Sequence, residues 1–307
     1  MCEPTVQIFN IVHGSFVDGY GIRTTVFLKG CPLRCLWCCN PEGQQCYAEL
    51  KYVEEDCNGC GKCVAECPER AIVMGKNTQG ESKAVIDRSK CTNCMKCIDY
   101  CCTNALDCFG KAYSVSELFD MVKNDVPFYR SMGGGVTIGG GEPTLMPEFT
   151  LAFIRKCHDN FISVAVDTCG YTTTTLRQKV LEEADLLLFD LKGMDDIQHV
   201  KDTGVSNEII LKNMRSLGSI GKPMIVRVPL IPGHNDSNEQ IEALGQFLAS
   251  INSVERVDIM NYHEYGISKY GQLGMKYLLT CEKHSTERVE EMKVILKKYV
   301  NNVQIGG

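Results

Sequence analysis

Three cysteines stand within eight residues of one another, Cys31, Cys35 and Cys38, in the run Cys-Pro-Leu-Arg-Cys-Leu-Trp-Cys. A structural zinc site closes with four tetrahedral ligands, whereas an iron-sulfur cubane held by three thiolates keeps one iron free for another molecule. No equally spaced fourth cysteine follows, although Cys39 is adjacent. The expected chemistry is therefore that of an open cluster that binds and activates a ligand.

Two further runs repeat one spacing. Cys57, Cys60, Cys63 and Cys67, followed by Pro68, reproduce the bacterial ferredoxin pattern C-x2-C-x2-C-x3-C-P. Cys91, Cys94, Cys97 and Cys101 repeat it, with Cys102 in place of the proline. In two-cluster ferredoxins the fourth cysteine of each run serves the other cluster. Carried over, one cluster takes Cys57, Cys60, Cys63 and Cys101, and the other takes Cys91, Cys94, Cys97 and Cys67. Both sites would be full, which suits electron transfer rather than substrate binding. Zinc held by pairs such as Cys57 with Cys60 and Cys91 with Cys94 is the competing reading, and it leaves the third and fourth cysteines of each run without a role. Most of the remaining cysteines, Cys2, Cys39, Cys46, Cys102, Cys108, Cys157, Cys169 and Cys281, are expected to be small buried hydrophobes.

Outside the cysteine-rich stretch, short β-branched runs alternate with helical patterns, as in βαβ units around a parallel sheet. Strands are expected at Arg23–Leu28, Val136–Ile138, Ser163–Val166, Leu186–Asp190, Met224–Val228 and Arg256–Met260, with a short last one at Val303–Ile305. Helices are expected at Pro147–His158, at Ser237–Leu248 behind a polar cap at Ser237, and from about Ser285 to Val300. Polar and glycine-rich residues follow the strand ends: Gly139-Gly140-Gly141-Glu142-Pro143, Asp167-Thr168, Asp190-Leu191-Lys192 and Asn261-Tyr262-His263-Glu264. Cys31 to Cys38 likewise follow the first strand. In parallel barrels these loops build the active site, so one mouth should collect all of them. The expected fold is α/β, a partial (β/α)6 TIM-like barrel formed by residues 1–50 and 106–307. Residues 51–105 form an inserted bacterial-ferredoxin-like domain.

A net charge of −6 supplies no basic field for nucleic acid or an anionic membrane surface. The N-terminal residues lack a basic region followed by an apolar one, and no apolar run reaches the length of a membrane helix. A cytoplasmic location is expected, where 19 cysteines would stay as thiols or metal ligands. Small molecules and another protein remain as partner classes.

These residues resemble the radical S-adenosylmethionine enzymes, and among them the activating enzymes of glycyl radical enzymes. The resemblance rests on the C-x3-C-x2-C run with Trp37 before its last cysteine, on Asn40-Pro41-Glu42 after it, and on Asp18-Gly19-Tyr20-Gly21-Ile22-Arg23 upstream. It spans about Ile8 to His263 in matching order. Three departures are Tyr20 for the usual proline, Gly139 for a common serine, and Cys39 where a small residue or His is frequent. The resemblance implies that the iron left open by Cys31, Cys35 and Cys38 chelates S-adenosylmethionine, beside Trp37. Gly140 and Gly141 would allow close backbone approach to the methionine portion, with Glu142 fixing that segment. Asp167, Thr168 and Asp190 match positions that hold a monovalent cation near the substrate carboxylate. Lys192 and Arg227 would supply positive charge on the carboxylate and ribose side, and His263 would contact the nucleoside.

Asp18, Tyr20 and Arg23 would face the partner protein. The cofactor set implied is S-adenosylmethionine with three 4Fe-4S clusters. A flavodoxin or ferredoxin-type reductant would supply the electron, in an anaerobic setting, and a large glycyl radical enzyme would be the protein substrate. Two other functions fit part of the pattern. An iron-sulfur electron carrier explains the two closed sets and leaves the open one unused, and a radical enzyme acting on a small molecule or peptide uses the open set on a different substrate.

Overall fold

The computed structural model describes residues 3–306. The chain opens with β1 (Thr5–Ser15) and β2 (Arg23–Leu28), passes the three-cysteine loop, and enters the cysteine-rich stretch through β3 (Glu49–Tyr52). That stretch holds α1 (Lys62–Glu66) and the hairpin β4 (Ile72–Lys76) with β5 (Ser82–Ile86), and it leaves through β6 (Leu106–Phe109). There follow β7 (Lys111–Ser114), α2 (Val115–Val122), α3 (Val126–Met132), β8 (Gly135–Gly140), α4 (Pro147–His158) and β9 (Ser163–Thr168). The chain continues through α5 (Thr175–Glu183), β10 (Leu186–Asp190), α6 (Asp196–Thr203), α7 (Glu208–Ser219), β11 (Met224–Leu230) and α8 (Asn238–Ala249). It finishes with β12 (Val254–Asn261), α9 (Ile267–Leu273), α10 (Thr286–Leu296) and β13 (Val303–Ile305).

One nine-stranded sheet runs in the order β13-β12-β11-β10-β9-β8-β2-β1-β7. From β2 to β13 all neighbours are parallel, while β1 pairs antiparallel with both β2 and β7. Burial on both faces explains why the inner strands read as near-continuous apolar runs: Leu187, Leu188 and Phe189 of β10 and Ile225 and Val226 of β11 have no exposed surface. The edges β13 and β7 do not pair with each other, so the sheet stays open. The seven expected strands are present, and β2, β10, β13 and α4 have the expected bounds. The Ser237 hydroxyl accepts from the Gln240 amide and caps α8 as expected.

The sheet also carries β1 and β7, which were not expected. Val6 and Ile8 of β1 are buried while Thr5 is exposed and Gln7 half-buried, the alternation of a strand covered on one face, and β1 lies second from the sheet edge, beside β7. No described helix is long and apolar enough to cross a membrane.

Candidate active site

The loop that bears Cys31, Cys35 and Cys38 begins where β2 ends and is fastened on several sides. The Cys31 amide donates to the Gln44 carbonyl at 3.2 Å, and the amides of Arg34 and Leu36 donate to the carbonyls of Thr203 and Asp202 at the end of α6, at 2.7 and 2.9 Å. From α9, the Tyr270 hydroxyl donates to the Cys38 carbonyl at 3.0 Å. Lys269 donates to the Cys39 carbonyl and to Asn40 Oδ1, and it pairs with Glu42. Gly266 lies so close that a Cβ there would come within 2.7 Å of the Cys39 Cα. The loop geometry is therefore set by β2, α6 and α9 together.

The three cysteines share a cavity of about 300 Å³ with residues from the ends of β8, β9, β10, β11 and β12. Among the expected ligand-site residues, Trp37, Gly140, Gly141, Asp167, Thr168, Asp190, Lys192, Arg227 and His263 line it. Burial pushes the Cys35 thiol up to about 12 and raises those of Cys31 and Cys38 as well. Such thiols become thiolates when a metal takes the place of the proton, and soft sulfur donors grouped on one loop suit an iron-sulfur cluster.

Gly140 and Gly141 pack the glycine loop against the cysteine loop. A Cβ on Gly141 would lie 2.0 Å from the Gly30 carbonyl oxygen. One on Gly140, whose φ is +101°, would lie 2.6 Å from the Leu28 nitrogen. Chain-to-chain contact thus accounts for both glycines before any ligand is considered. Glu142 is buried and does not line the cavity. Its carboxylate accepts from the Thr144 amide and hydroxyl, from Thr168 Oγ1, and from the Cys169 amide at 2.7 Å, which ties the β8 loop to the β9 loop.

On the opposite wall, carboxylates and cations alternate. Arg227 donates to Asp18 Oδ1 at 3.0 Å, to Asp167 Oδ2 at 3.2 Å and to the Val17 carbonyl at 2.6 Å. Its Nε is buried and has no partner among the described residues. Lys192 donates to Asp190 Oδ2 at 2.6 Å. Burial opposes the charge on Lys192 and Arg227, but Asp190 holds the first protonated, and Asp167 and Asp18 hold the second. Burial likewise works to raise the Asp18 carboxyl, yet Arg227 and the hydroxyls of Thr25 and Ser15 hold it below the usual carboxylate value. Asp167 goes the other way: burial pushes it up to about 7 against the pull of Arg227.

The expected partner-facing set is corrected in part. Arg23 is 2% exposed and spends its guanidinium on Thr137 Oγ1 and on the carbonyls of Val136, Ser163 and Tyr20, so it is an internal brace. Asp18 turns toward the cavity and Arg227. Tyr20, at 42% exposure, stays on the surface, where its hydroxyl donates to Glu255 and Arg256 lies over its ring.

The cysteine-rich stretch contains two smaller cavities. One is lined by Cys57, Cys60, Cys63 and Cys101 and the other by Cys67, Cys91, Cys94 and Cys97, so the fourth cysteine of each run sits with the other run. Of the other cysteines, Cys157 and Cys169 are buried, but Cys39, Cys46 and Cys102 are exposed and Cys108 and Cys281 are half-buried. The expectation that most are buried is therefore wrong, and Cys2 lies outside the described residues. Cys39, Asn40, Cys169, Ile231 and Tyr262 line the main cavity without having been singled out as ligand-site residues. The place of Tyr262 and Asn40, directly beside His263 and Cys39 in the same loops, was the available signal.

Residues 94–247 match the Radical SAM superfamily, and residues 56–105 match the 4Fe-4S dicluster domain. The architecture is similar to that of a radical SAM methyltransferase from Sphaerobacter thermophilus, at a TM-score of 0.53 and 14% identity, covering 98% of this chain and 76% of that one. That likeness concerns the fold alone. Fold and cysteine loop together define a radical S-adenosylmethionine enzyme. The trans-4-hydroxy-L-proline dehydratase activating enzyme of Clostridioides difficile is 40% identical over 304 residues, 98% of this chain and 99% of that one. The choline trimethylamine-lyase activating enzyme of Oleidesulfovibrio alaskensis is 37% identical over 303 residues, 97% of each chain. The chain belongs to the glycyl radical enzyme activating enzymes of the radical S-adenosylmethionine superfamily.

Proposed function

We propose that the cavity beneath Cys31, Cys35 and Cys38 is where S-adenosylmethionine meets a 4Fe-4S cluster held by those three thiols. The supporting observation is the convergence of three half-buried cysteines, the glycine loop and the Arg227 and Lys192 ladder on one cavity at the carboxyl ends of the parallel strands. When bound, the cluster supplies the electron that cleaves S-adenosylmethionine to methionine and a 5′-deoxyadenosyl radical, which takes hydrogen from a glycine of a large partner enzyme. The chain's own residues orient and enclose. Gly140 and Gly141 present backbone to the methionine portion, and Glu142 fixes their loop. Arg227, with its free Nε, and Lys192 face the anionic carboxylate and the ribose. Trp37 and His263 flank the nucleoside, and the apolar Ile231 and Leu33 keep water out.

Asp167, Thr168 and Asp190 form the proposed monovalent cation position. Its occupation would compete with the Arg227 and Lys192 contacts to the two carboxylates and would favour the ionised form of Asp167. Tyr20, on the surface, remains for the partner. We read β2 and β8 through β12 as a partial (β/α)6 barrel formed by residues 1–50 and 106–307. Residues 51–105 are then a ferredoxin-like insert that carries two closed 4Fe-4S clusters and receives electrons from a flavodoxin or ferredoxin-type donor. A reducing, anaerobic cytoplasm suits this many unpaired thiols.

The test is anaerobic. Reduced, iron-loaded protein mixed with S-adenosylmethionine should release 5′-deoxyadenosine, and electron paramagnetic resonance with candidate partners should show a glycyl doublet for one of them. Iron-loaded protein that yields no 5′-deoxyadenosine would refute the site assignment. Release without a doublet in any partner would refute the protein-substrate reading.

A further inference from the structure

Among the fixed positions of the pattern the two ferredoxin-type runs differ at one: the first ends Cys67-Pro68, the second Cys101-Cys102. Cys102 is exposed, and its Sγ lies 3.9 Å from the Sγ of Cys60, with the Asn58 side-chain amide donating to it at 3.8 Å. Two sulfurs bound to one tetrahedral metal at about 2.3 Å lie roughly 3.8 Å apart, because the tetrahedral angle fixes their separation. Cys60 and Cys102 are in direct sulfur contact, close enough for either to reach one metal ion, with Cys60 lining the cavity of its set and Cys102 on its solvent side. In a 4Fe-4S cluster with four cysteine ligands each iron takes one thiolate, so the two sulfurs compete for the same iron.

We propose that Cys102 is a reserve ligand for the iron held by Cys60, a function that rests on the assignment of Cys57, Cys60, Cys63 and Cys101 to one cluster. The exchange moves no electrons. Cys102 gives up its proton to solvent as it binds, and Cys60 takes one up as it leaves. Exposure makes such a reserve useful here, since Cys60 is an exposed member of its set, whereas Cys63 is buried. Oxidation and alkylation select exposed thiolates, so Cys60 is the ligand most open to attack. The first run carries Pro68 at the equivalent position, which offers no sulfur to the second cluster.

The experiment compares iron and acid-labile sulfide per chain, with Mössbauer spectra, in anaerobically reconstituted full-length protein and in variants. Cys60→Ala alone and Cys102→Ala alone should each keep the full wild-type iron, while the Cys60→Ala/Cys102→Ala pair loses one cluster, a third of the iron. Loss of a cluster in either single variant, or full retention in the pair, would overturn the proposal. Cys63→Ala separates this from the underlying assignment: it should lose one cluster unaided. Full iron in Cys63→Ala would mean that the four-cysteine set itself is wrong, whatever Cys102 does.

Discussion

The three-cysteine loop and the cysteine-rich stretch both gather thiols, but different forces hold them. The loop sits on a large apolar core built from the sheet and its helices, and β2, α6 and α9 fasten its backbone before any metal arrives. The stretch between β3 and β6 has a small core of Leu50, Ile72, Ala84 and Leu106, completed by cysteines: Cys63 and Cys97 within it, and Cys57, Cys67, Cys91 and Cys101 against it. On the proposed assignment, a segment whose interior is largely cysteine would depend on bound metal for folding, as small metal-bound domains do. The three-cysteine loop is preorganised by packing, whereas the proposed closed sites would be organised by what they bind.

The strongest test of this contrast is Cys35→Ala. It should abolish 5′-deoxyadenosine formation while leaving the thermal midpoint within a few degrees of the wild type. A variant that still cleaves S-adenosylmethionine, or one that unfolds, would break the comparison. Next in size is removal of all iron by chelation. Hydrogen exchange should become fast across residues 51–105, while amides of β8 through β11 keep their protection. Equal loss of protection in both regions would show that the sheet also leans on the clusters.

Glu142→Ala should then cost about 3 kcal/mol, since hydrogen bonds to a buried charged group are worth roughly 1.5–3 kcal/mol each and their donors would be stranded. Denaturant midpoints measure it, and KM for S-adenosylmethionine should rise as the glycine loop loosens. Tyr270→Phe removes the single bond from α9 to the Cys38 carbonyl. A loss of about 1 kcal/mol, or roughly fivefold in KM, is expected, with a shifted resonance signal from the reduced open cluster.

A separate test of the same cavity concerns pH. Asp167 has a folded pKa of about 7, above its ordinary value of 3.8. Its contribution to stability is therefore fully present below pH 4 and is lost as pH rises through 7. Cluster-free Asp167→Asn should show a flatter decline in thermal midpoint between pH 4 and 7 than the cluster-free wild type. Parallel curves would mean that Asp167 ionises normally.

Much of the parallel sheet was legible because its strands are covered on both faces, so Leu186–Asp190 reads as one apolar run ending in a carboxylate that lines the cavity. Edge strands such as Lys111–Ser114 have little burial and no such run. Cysteine spacing carried the three thiol sets, since ligand geometry constrains local sequence. Orientation was not legible: Arg23 and Tyr20 share one short motif, yet β2 draws the first inward while the loop leaves the second outside. Likewise, spacing alone does not show that Cys102 faces solvent beside Cys60 or that α9, far along the chain, grips the Cys38 carbonyl.

The two strands that bracket the cysteine-rich stretch pair with each other, Glu49 opposite Phe109 and Tyr52 opposite Leu106. The stretch therefore begins and ends at neighbouring points in space, and the rest of the chain experiences it as a loop on a closed stem. Closure entropy grows only logarithmically with loop length, by about 0.6 kcal/mol for each doubling. A segment of this size can thus be gained, lost or rebuilt at small cost to the sheet, which leaves the cysteine-rich part free to diverge while the main cavity keeps its shape.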